Sequence, residues 1–268
     1  MTRRKSRLFY LWRVLATGFA FAMFGLGGPI IAVGISIFVG LAPIRTPLKS
    51  ELSRVVLRHT FKLYIGLLKF LGLLTYEIQG LEFVAAGRKI VVANHPSLLD
   101  VVFLLSIIRG ATCIVKDSLT KNWFTRPPIL AANYIRNNSE NLIASSTEAL
   151  AAESPLVIFP EGTRTKPGAD YRLQRGAANI ALSAKCDISP VVISCKPATL
   201  LKNEKWYKVP DIPPHFVISF RPPIKIQKYL DMNLHQCQAA RILTKDLAAY
   251  YEAARQEDQC VNTTLSPA

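Results

Sequence analysis

From about residue 89 onward, short apolar runs rich in β-branched residues alternate with longer runs of helical periodicity. The runs that predict strands are KIVVAN, ATCIVK, PLVIF, ISPVVISC and HFVISF. The runs that predict helices are LLDVVFLLSII, SENLIASSTEALAAE, RLQRGAANIALSAK and QAARILTKDLAAYYEAA. Strands that are separated by helices are typical of an α/β domain, because each helix crosses over between strands of one sheet. This part of the chain is therefore predicted to be α/β.

The N-terminal pattern is different, because residues 14–44 contain no charged side chain. As a helix this stretch would extend about 46 Å, which exceeds the ~30 Å hydrocarbon core of a bilayer. It is also much longer than the apolar region of a cleavable signal peptide. The pattern predicts that the N-terminal region associates with a membrane.

Basic residues flank the apolar run on both sides, and a Gly27-Gly28-Pro29 sequence lies in the middle of it. Positive charge at both ends favours two cytoplasmic ends, and a proline interrupts or bends a helix. We therefore expect a re-entrant helical hairpin, with a single tilted span as the alternative. The next segment, RHTFKLYIGLLKFLGLLTYEI, is predicted to be a helix that lies either along the lipid headgroups or over the protein core.

These patterns divide the 268-residue chain into three parts. We predict a membrane-associated helical region at residues 1–75, an α/β domain at residues 76–257 and a frayed polar tail at residues 258–268. The length is enough for one sizeable core with an appended segment.

Composition narrows the possible partners. The chain has 33 Lys and Arg against 18 Asp and Glu, a net charge of +15, which favours anionic partners such as phospholipid headgroups or an acidic carrier protein. Nucleic acid is not expected, because the basic residues are dispersed and no nucleic-acid-binding motif is present. The five cysteines (Cys113, Cys186, Cys195, Cys237 and Cys260) have neither zinc-site nor disulfide-framework spacing, so no metal site is predicted.

The first candidate for chemistry is VVANHPSLLD, where a predicted strand ends in polar residues. The imidazole of His95 can accept a proton near neutral pH, and a carboxylate on its other nitrogen would fix the tautomer. Asp100 is the candidate partner, in the first turn of the helix that Pro96 and Ser97 begin. Ser97 and Asp100 also resemble a helix capping box, and the two roles are compatible.

The second candidate is PLVIFPEGTRT, which repeats the architecture of a strand ending in polar residues. Gly162 lets a ligand approach the backbone, Thr163 can donate a hydrogen bond, and Arg164 offers a planar fork that matches phosphate oxygens. Glu161 could either pair with Arg164 or hydrogen-bond a substrate hydroxyl. The alternative is a solvated turn between a strand and a helix.

The two candidates end different strands about sixty residues apart, so crossover connections would bring them to one edge of a sheet. A lone arginine in NYIRNN, Arg136, is by sequence alone a surface charge. No GxSxG elbow is present, so a serine acyl-enzyme is not expected.

At this point a resemblance is evident: NHPSLLD matches the NHxxxxD signature, and FPEGTR the FPEGTR signature, of the glycerolipid and lysophospholipid acyltransferase family. The resemblance covers about residues 85–225 and includes IRNN and ISPVVI, although NYIR departs from the family's usual residues before the arginine. It implies a mixed β-sheet flanked by helices, with an N-terminal helical pair on the membrane.

The resemblance also implies an activity. In its terms the protein moves a fatty acyl group from acyl-CoA or acyl carrier protein to a hydroxyl of a lysophospholipid, typically lysophosphatidate. His95 would be the general base and Asp100 its orienting acid. The acceptor's glycerol phosphate would be bound by the EGTR residues, with help from Arg136: Glu161, Gly162, Thr163 and Arg164. Neither a metal nor a further cofactor is implied.

Two other interpretations remain open. The first keeps the chemistry but uses a specialised acceptor, such as a lyso-aminolipid or a polyene lipid headgroup, because Lys205-Trp206-Tyr207 and Pro213-Pro214-His215 lie outside the shared motifs. The second is a non-catalytic lipid-binding protein, for which the charge and the apolar N-terminus would suffice.

Overall fold

Seven strands form one mixed sheet in the computed structural model, which describes residues 7–41, 46–84, 87–165 and 168–264. The strands are β1 (Thr75–Gln79), β2 (Ile90–Ala93), β3 (Thr112–Val115), β4 (Ile135–Arg136), β5 (Leu156–Ile158), β6 (Ile188–Lys196) and β7 (His215–Phe220). Their order is β1-β7-β6-β2-β5-β3-β4, and all neighbours are parallel except β6 and β7. The predicted mixed sheet is confirmed.

Helices cover both faces of this sheet. They are α1 (Arg7–Leu41), α2 (Thr46–Phe70), α3 (Asp100–Ile107), α4 (Asp117–Lys121), α5 (Arg126–Ala131), α6 (Leu142–Ala151), α7 (Gly176–Ala184), α8 (Gln227–Leu230) and α9 (Gln236–Thr264). One core lies between the sheet and α6 to α9, and a second lies between the sheet and α1 to α3. The residues of β2 and β5 are buried throughout because they contribute to both cores, which explains their continuous apolar sequences.

The N-terminal apolar run is one continuous helix as far as it is described, so the expected break at Gly27-Gly28-Pro29 is wrong. A proline removes only one backbone donor, and a long apolar helix tolerates that loss when the rest of its hydrogen bonds form. Within the described residues, one segment of this helix, Arg7–Gly28, is long and apolar enough to cross a membrane. The end of the run, from residue 42, lies outside the described residues.

The following helix, α2, has one buried and one exposed face. Ile65 and Leu68 are buried in the core, whereas Leu63 and Phe70 are 75% and 87% exposed. The buried face agrees with a helix that covers the core. The exposed apolar residues are also compatible with the other expectation, that this helix contacts lipid. The predicted helix was too long, because TYEI belongs to β1.

Two further boundaries differ from the sequence prediction. The helix α7 begins only at Gly176, so RLQR is part of the preceding loop. The helix α9 continues to Thr264, beyond the point at residue 258 where a frayed tail was expected to begin. The division of the chain into three regions stays a prediction.

Candidate active site

His95 lies just beyond the end of β2, and the residue before it fixes the chain as it leaves the sheet. The Asn94 side chain donates from Nδ2 to the Ile193 carbonyl (2.8 Å) and accepts from the Ile193 N–H at Oδ1 (2.7 Å). These side-chain bonds tie the chain just beyond the end of β2 to the main chain of β6. No role for Asn94 was predicted from the sequence. The available signal for its role is an amide side chain between the end of a strand and a histidine.

The structure brings His95 and Asp100 together. Their Nδ1 and Oδ2 atoms are 2.8 Å apart, Asp100 is fully buried, and the His95 side chain is 15% exposed. Oδ2 also accepts the Ser97 N–H at 2.7 Å. An oxygen that accepts two hydrogen bonds matches an ionised carboxylate, so Nδ1 of His95 carries a proton and Nε2 is left as an acceptor.

Asp100 is also the first residue of α3, where the helix dipole favours a negative charge. Its bond to the Ser97 N–H has the Ser-x-x-Asp spacing of a capping box, but α3 begins only at Asp100, with Leu99 as its N-cap residue. Burial raises the pKa of Asp100, while the hydrogen bonds from His95 and Ser97 and the charge of Arg164 oppose that rise. One carboxylate therefore both begins the helix and contacts the imidazole.

The FPEGTR segment contacts the main chain of His95 on both sides. Oε1 of Glu161 accepts the His95 N–H at 2.7 Å, and the Thr165 N–H donates to the His95 carbonyl at 3.1 Å. Glu161 is 6% exposed, and its pKa is raised to about 7, first by burial and then by the charge of Asp100. Of the two contacts expected for Glu161, the pairing with Arg164 is wrong, since its described partner is the His95 backbone.

Gly162 is required by the turn that follows. Its φ is +66°, and a Cβ at this position would lie 2.8 Å from the Gln174 side-chain nitrogen. Any other residue would combine backbone strain with this close approach. Thr163 is half-buried in the same turn. The positive φ of Gly162 and the approach of Gln174 thus define the shape of a turn in which Gly162 itself is exposed.

Arg164 is half-buried and points toward the segment after β6. Its Nη1 donates to the Leu200 carbonyl at 2.6 Å and to the Leu201 carbonyl at 3.3 Å. Nε and Nη2 make no hydrogen bond to any described residue, so they remain free to bind a phosphate. Of the basic residues that follow Arg164 in the sequence, Arg172 and Arg175 are exposed, and Lys166 lies outside the described residues.

Arg136 is separate from this group. Its side chain is 57% exposed and lies 3.7 Å from Asp117. It belongs to the edge strand β4, three positions from β2 in the sheet, which is roughly 14 Å at the usual strand spacing. The structure therefore places Arg136 on the same edge of the sheet but does not bring it to His95.

An apolar cavity of about 530 Å³ begins beside the His95–Asp100 pair. Leu98 and Leu99, from the turn between those two residues, line it, as does Leu200, whose carbonyl binds Arg164. The rest of the wall comes from α1, α2, α3, α5 and the segment between β6 and β7. A volume of this size is within the range of small-molecule sites, and its lining suits a hydrocarbon chain.

Comparison with known proteins agrees with this arrangement. The family model described as Acyltransferase matches residues 75–194. A 1-acyl-sn-glycerol-3-phosphate acyltransferase from Cocos nucifera is 29% identical over 172 residues, 59% of this chain and 52% of that protein. The protein of the same name from Helicobacter pylori strain J99 is 31% identical over 132 residues, which are 46% of this chain and 56% of that protein. The chain spans about half the length of these curated relatives.

A solved structure is similar over nearly the whole chain. It is the 1-acyl-sn-glycerophosphate (LPA) acyltransferase PlsC from Thermotoga maritima, with a TM-score of 0.67, 19% identity and coverage of 95% of this chain and 97% of that chain. At this identity the likeness shows a shared fold. Both motifs and the strands that they follow lie within residues 75–194, the part of the chain that matches the Acyltransferase model. Over residues 75–194 and in its curated relatives the chain is similar to glycerolipid acyltransferases, in agreement with the resemblance that its NHPSLLD and FPEGTR motifs show.

Proposed function

We propose that this protein transfers a fatty acyl group from acyl-CoA or acyl carrier protein to the free hydroxyl of lysophosphatidate, giving phosphatidate. The observation that carries the proposal is the 2.8 Å contact between His95 Nδ1 and Asp100, which leaves Nε2 free to act as a base. The relatives' shared name, 1-acyl-sn-glycerol-3-phosphate acyltransferase, supports the choice of acceptor. No cofactor is needed beyond the acyl donor.

The proposed reaction is a direct displacement. Nε2 of His95 takes the hydroxyl proton while the hydroxyl oxygen attacks the thioester carbonyl carbon. The new C–O bond forms, the C–S bond breaks, and the imidazolium returns its proton to the leaving thiolate. Asp100 stabilises the imidazolium during this step, and such general base catalysis is worth about 10²–10⁴-fold.

We further propose that catalysis takes place at a membrane surface, on the cytoplasmic face of the inner or plasma membrane. Apolar residues near the start of α1 are exposed, among them Leu8, Phe9, Leu11 and Leu15. Basic residues flank the apolar run, and a charge of +15 favours anionic phospholipids. Both substrates of the proposed reaction have acyl chains, so a lipid-facing site would give them direct access.

The direct test is an acyl-transfer assay. Detergent-purified protein is given lysophosphatidate with either acyl-CoA or acyl carrier protein thioester, and phosphatidate is followed by mass spectrometry. Product formation above the rate without protein is expected. A panel of lyso-aminolipids and other lysophospholipids would reveal a specialised acceptor, and the absence of turnover with every donor and acceptor would favour a non-catalytic lipid-binding protein.

Arg164→Ala should raise the acceptor KM about 10–100-fold with a smaller effect on kcat, since a charged hydrogen bond is worth about 1.5–3 kcal/mol. The guanidinium has free donors beside the site, and we propose that they hold the acceptor phosphate. Steady-state kinetics with varied lysophosphatidate measures the effect, with Arg241→Ala on the exposed face of α9 as the matched control. An unchanged acceptor KM in Arg164→Ala would contradict this role.

Gly27→Leu should shorten the preferred acyl donor. Gly27 lines the apolar cavity from α1, and a Cβ there meets no atom within 4 Å, so a larger side chain would occupy space proposed for the acyl chain. Losing room for about three methylenes, at about 0.8 kcal/mol each, predicts a 10–100-fold loss with long-chain donors. Rates over a series of donor lengths measure it.

The matched control is Gly66→Leu, since Gly66 also has open space beside it but lies on the outer face of α2, away from this cavity. Equal length preferences in the two variants would mean that the cavity does not hold the acyl chain.

A further inference from the structure

The main chain of His95 has left the sheet, yet both its N–H and its carbonyl are hydrogen-bonded. β2 ends at Ala93, so the N–H of His95 has no neighbouring strand to bind. A buried N–H without an acceptor is costly, and here the acceptor is a side chain 66 residues further along, Oε1 of Glu161. The position of the imidazole thus depends on a carboxyl group from the second motif.

Glu161 is poorly placed to bind a substrate itself. It is almost fully buried, and its second oxygen, Oε2, is buried without a described partner. Within the described part of the chain, neither oxygen contacts a cation, although Arg164 is only three residues away. The carboxyl group is thus directed at the His95 backbone.

The groups that face Glu161 come from three parts of the fold. His95 and Asp100 belong to the first motif, Tyr171 precedes α7, and Tyr251 lies on α9. Asp100 is the charged one among them, and its repulsion adds to burial in raising the pKa of Glu161. Ionised Glu161 is the stronger acceptor for the His95 N–H, since hydrogen bonds to a charged group are shorter and roughly twice as strong.

We propose that Glu161 is a positioning residue that holds His95 in line with Asp100 through the His95 N–H, and that it does not bind the acceptor. Gly162 and Arg164 of the same motif keep their proposed contact with the acceptor. The motif therefore has two separate functions: Glu161 fixes the base, and the residues after it face the substrate. This inference rests on the proposed acyl transfer.

Three substitutions at position 161 distinguish the effect of side-chain length from the effect of side-chain charge. Glu161→Gln keeps an oxygen that can accept the His95 N–H, whereas Glu161→Asp keeps the charge but is one methylene too short. Glu161→Ala removes both. Because a misplacement of about 1 Å can cost 10²-fold in rate, we expect kcat to fall about 10²-fold in the Asp and Ala variants and much less in the Gln variant, all with an unchanged acceptor KM.

A pH series adds a readout that a purely structural role would not change. The ratio of wild-type kcat to Glu161→Gln kcat should rise about two- to fivefold from pH 6 to pH 8, since only the wild-type acceptor becomes charged over this range. A constant ratio, or an Ala variant with intact kcat and a raised acceptor KM, would overturn the proposal.

A spectroscopic measurement keeps this test independent of turnover. The Nδ1 proton shared by His95 and Asp100 should give a downfield proton resonance in the detergent-solubilised protein without substrate, assigned among the four histidines by its loss in His95→Ala. It should persist in Glu161→Gln and be shifted or lost in Glu161→Asp. The absence of turnover in the wild-type protein would contradict the acyl-transfer proposal. An unchanged resonance in Glu161→Asp would instead contradict the positioning role of Glu161.

Discussion

Replacing His95 with alanine should lower kcat for phosphatidate formation by about 10²–10⁴-fold, the usual contribution of a positioned general base. The acceptor hydroxyl is a poor nucleophile until its proton is removed, and Nε2 of His95 is the proposed base at this edge of the sheet. The acceptor KM should change little, because the proposed phosphate contacts lie on the FPEGTR segment. Steady-state turnover of the purified variant, with phosphatidate quantified directly, measures the loss.

His59→Ala is the matched control, because His59 is exposed on α2 and hydrogen-bonds only the Val55 carbonyl among the described residues. Its turnover should stay close to that of the wild type. Thermal unfolding of both variants excludes misfolding as the cause. If His95→Ala keeps more than about a tenth of the wild-type rate, another group removes the proton and the proposed mechanism is wrong.

The α/β fold was predictable wherever local pattern and final burial agree. The strands β2, β3, β5, β6 and β7 and the helices α3, α6 and α9 all correspond to runs identified in the sequence. These segments are buried on one or both sides, so their periodicity directly reflects their packing. For them the sequence pattern and the tertiary structure contain the same information.

Strands that are defined by tertiary contacts were not predicted from the sequence. β1 follows α2 after a short turn and alternates between exposed and half-buried residues, so TYEI could be read as an extension of the helix. β4 has only two residues and pairs with β3 at the edge of the sheet. The position of β7 between β1 and β6, antiparallel to β6, depends on long-range pairing that no local pattern specifies.

The candidate site also combines features that the sequence predicts with features that depend on tertiary contacts. The meeting of the two motifs followed from their location after strands that turn out to be neighbours, β2 and β5. The contact of Glu161 with the His95 backbone could not be predicted from the sequence. A glutamate is as compatible with an arginine nearby in sequence as with an N–H that is distant in sequence. The bridge from Asn94 to Ile193 likewise requires knowing that β6 lies beside β2.

The dual contacts of Asp100 make its substitution the second informative experiment. Asp100→Asn should lower kcat by about 10³–10⁴-fold while the protein stays folded, in keeping with the effect of the same change in other histidine-dependent enzymes. An asparagine oxygen can still accept the Ser97 N–H and preserve the start of α3. In the wild type Oδ2 accepts both bonds, so the same asparagine oxygen would also accept from His95 Nδ1, but it has no negative charge to stabilise the imidazolium that forms during proton transfer.

Turnover and thermal unfolding of Asp100→Asn, measured on the same preparation, separate catalysis from capping. A carboxylate that served only the helix would give a variant with a lower unfolding temperature and near-wild-type turnover per folded molecule, since losing a negative charge at a helix N-terminus costs about 0.3–1 kcal/mol. Asp246→Asn, which alters a half-exposed carboxylate bonded to Tyr229, shows the general effect of this substitution on stability. Because the lost charge stabilises the imidazolium of His95, a large loss of turnover at unchanged stability would identify the His95–Asp100 contact as the catalytic one.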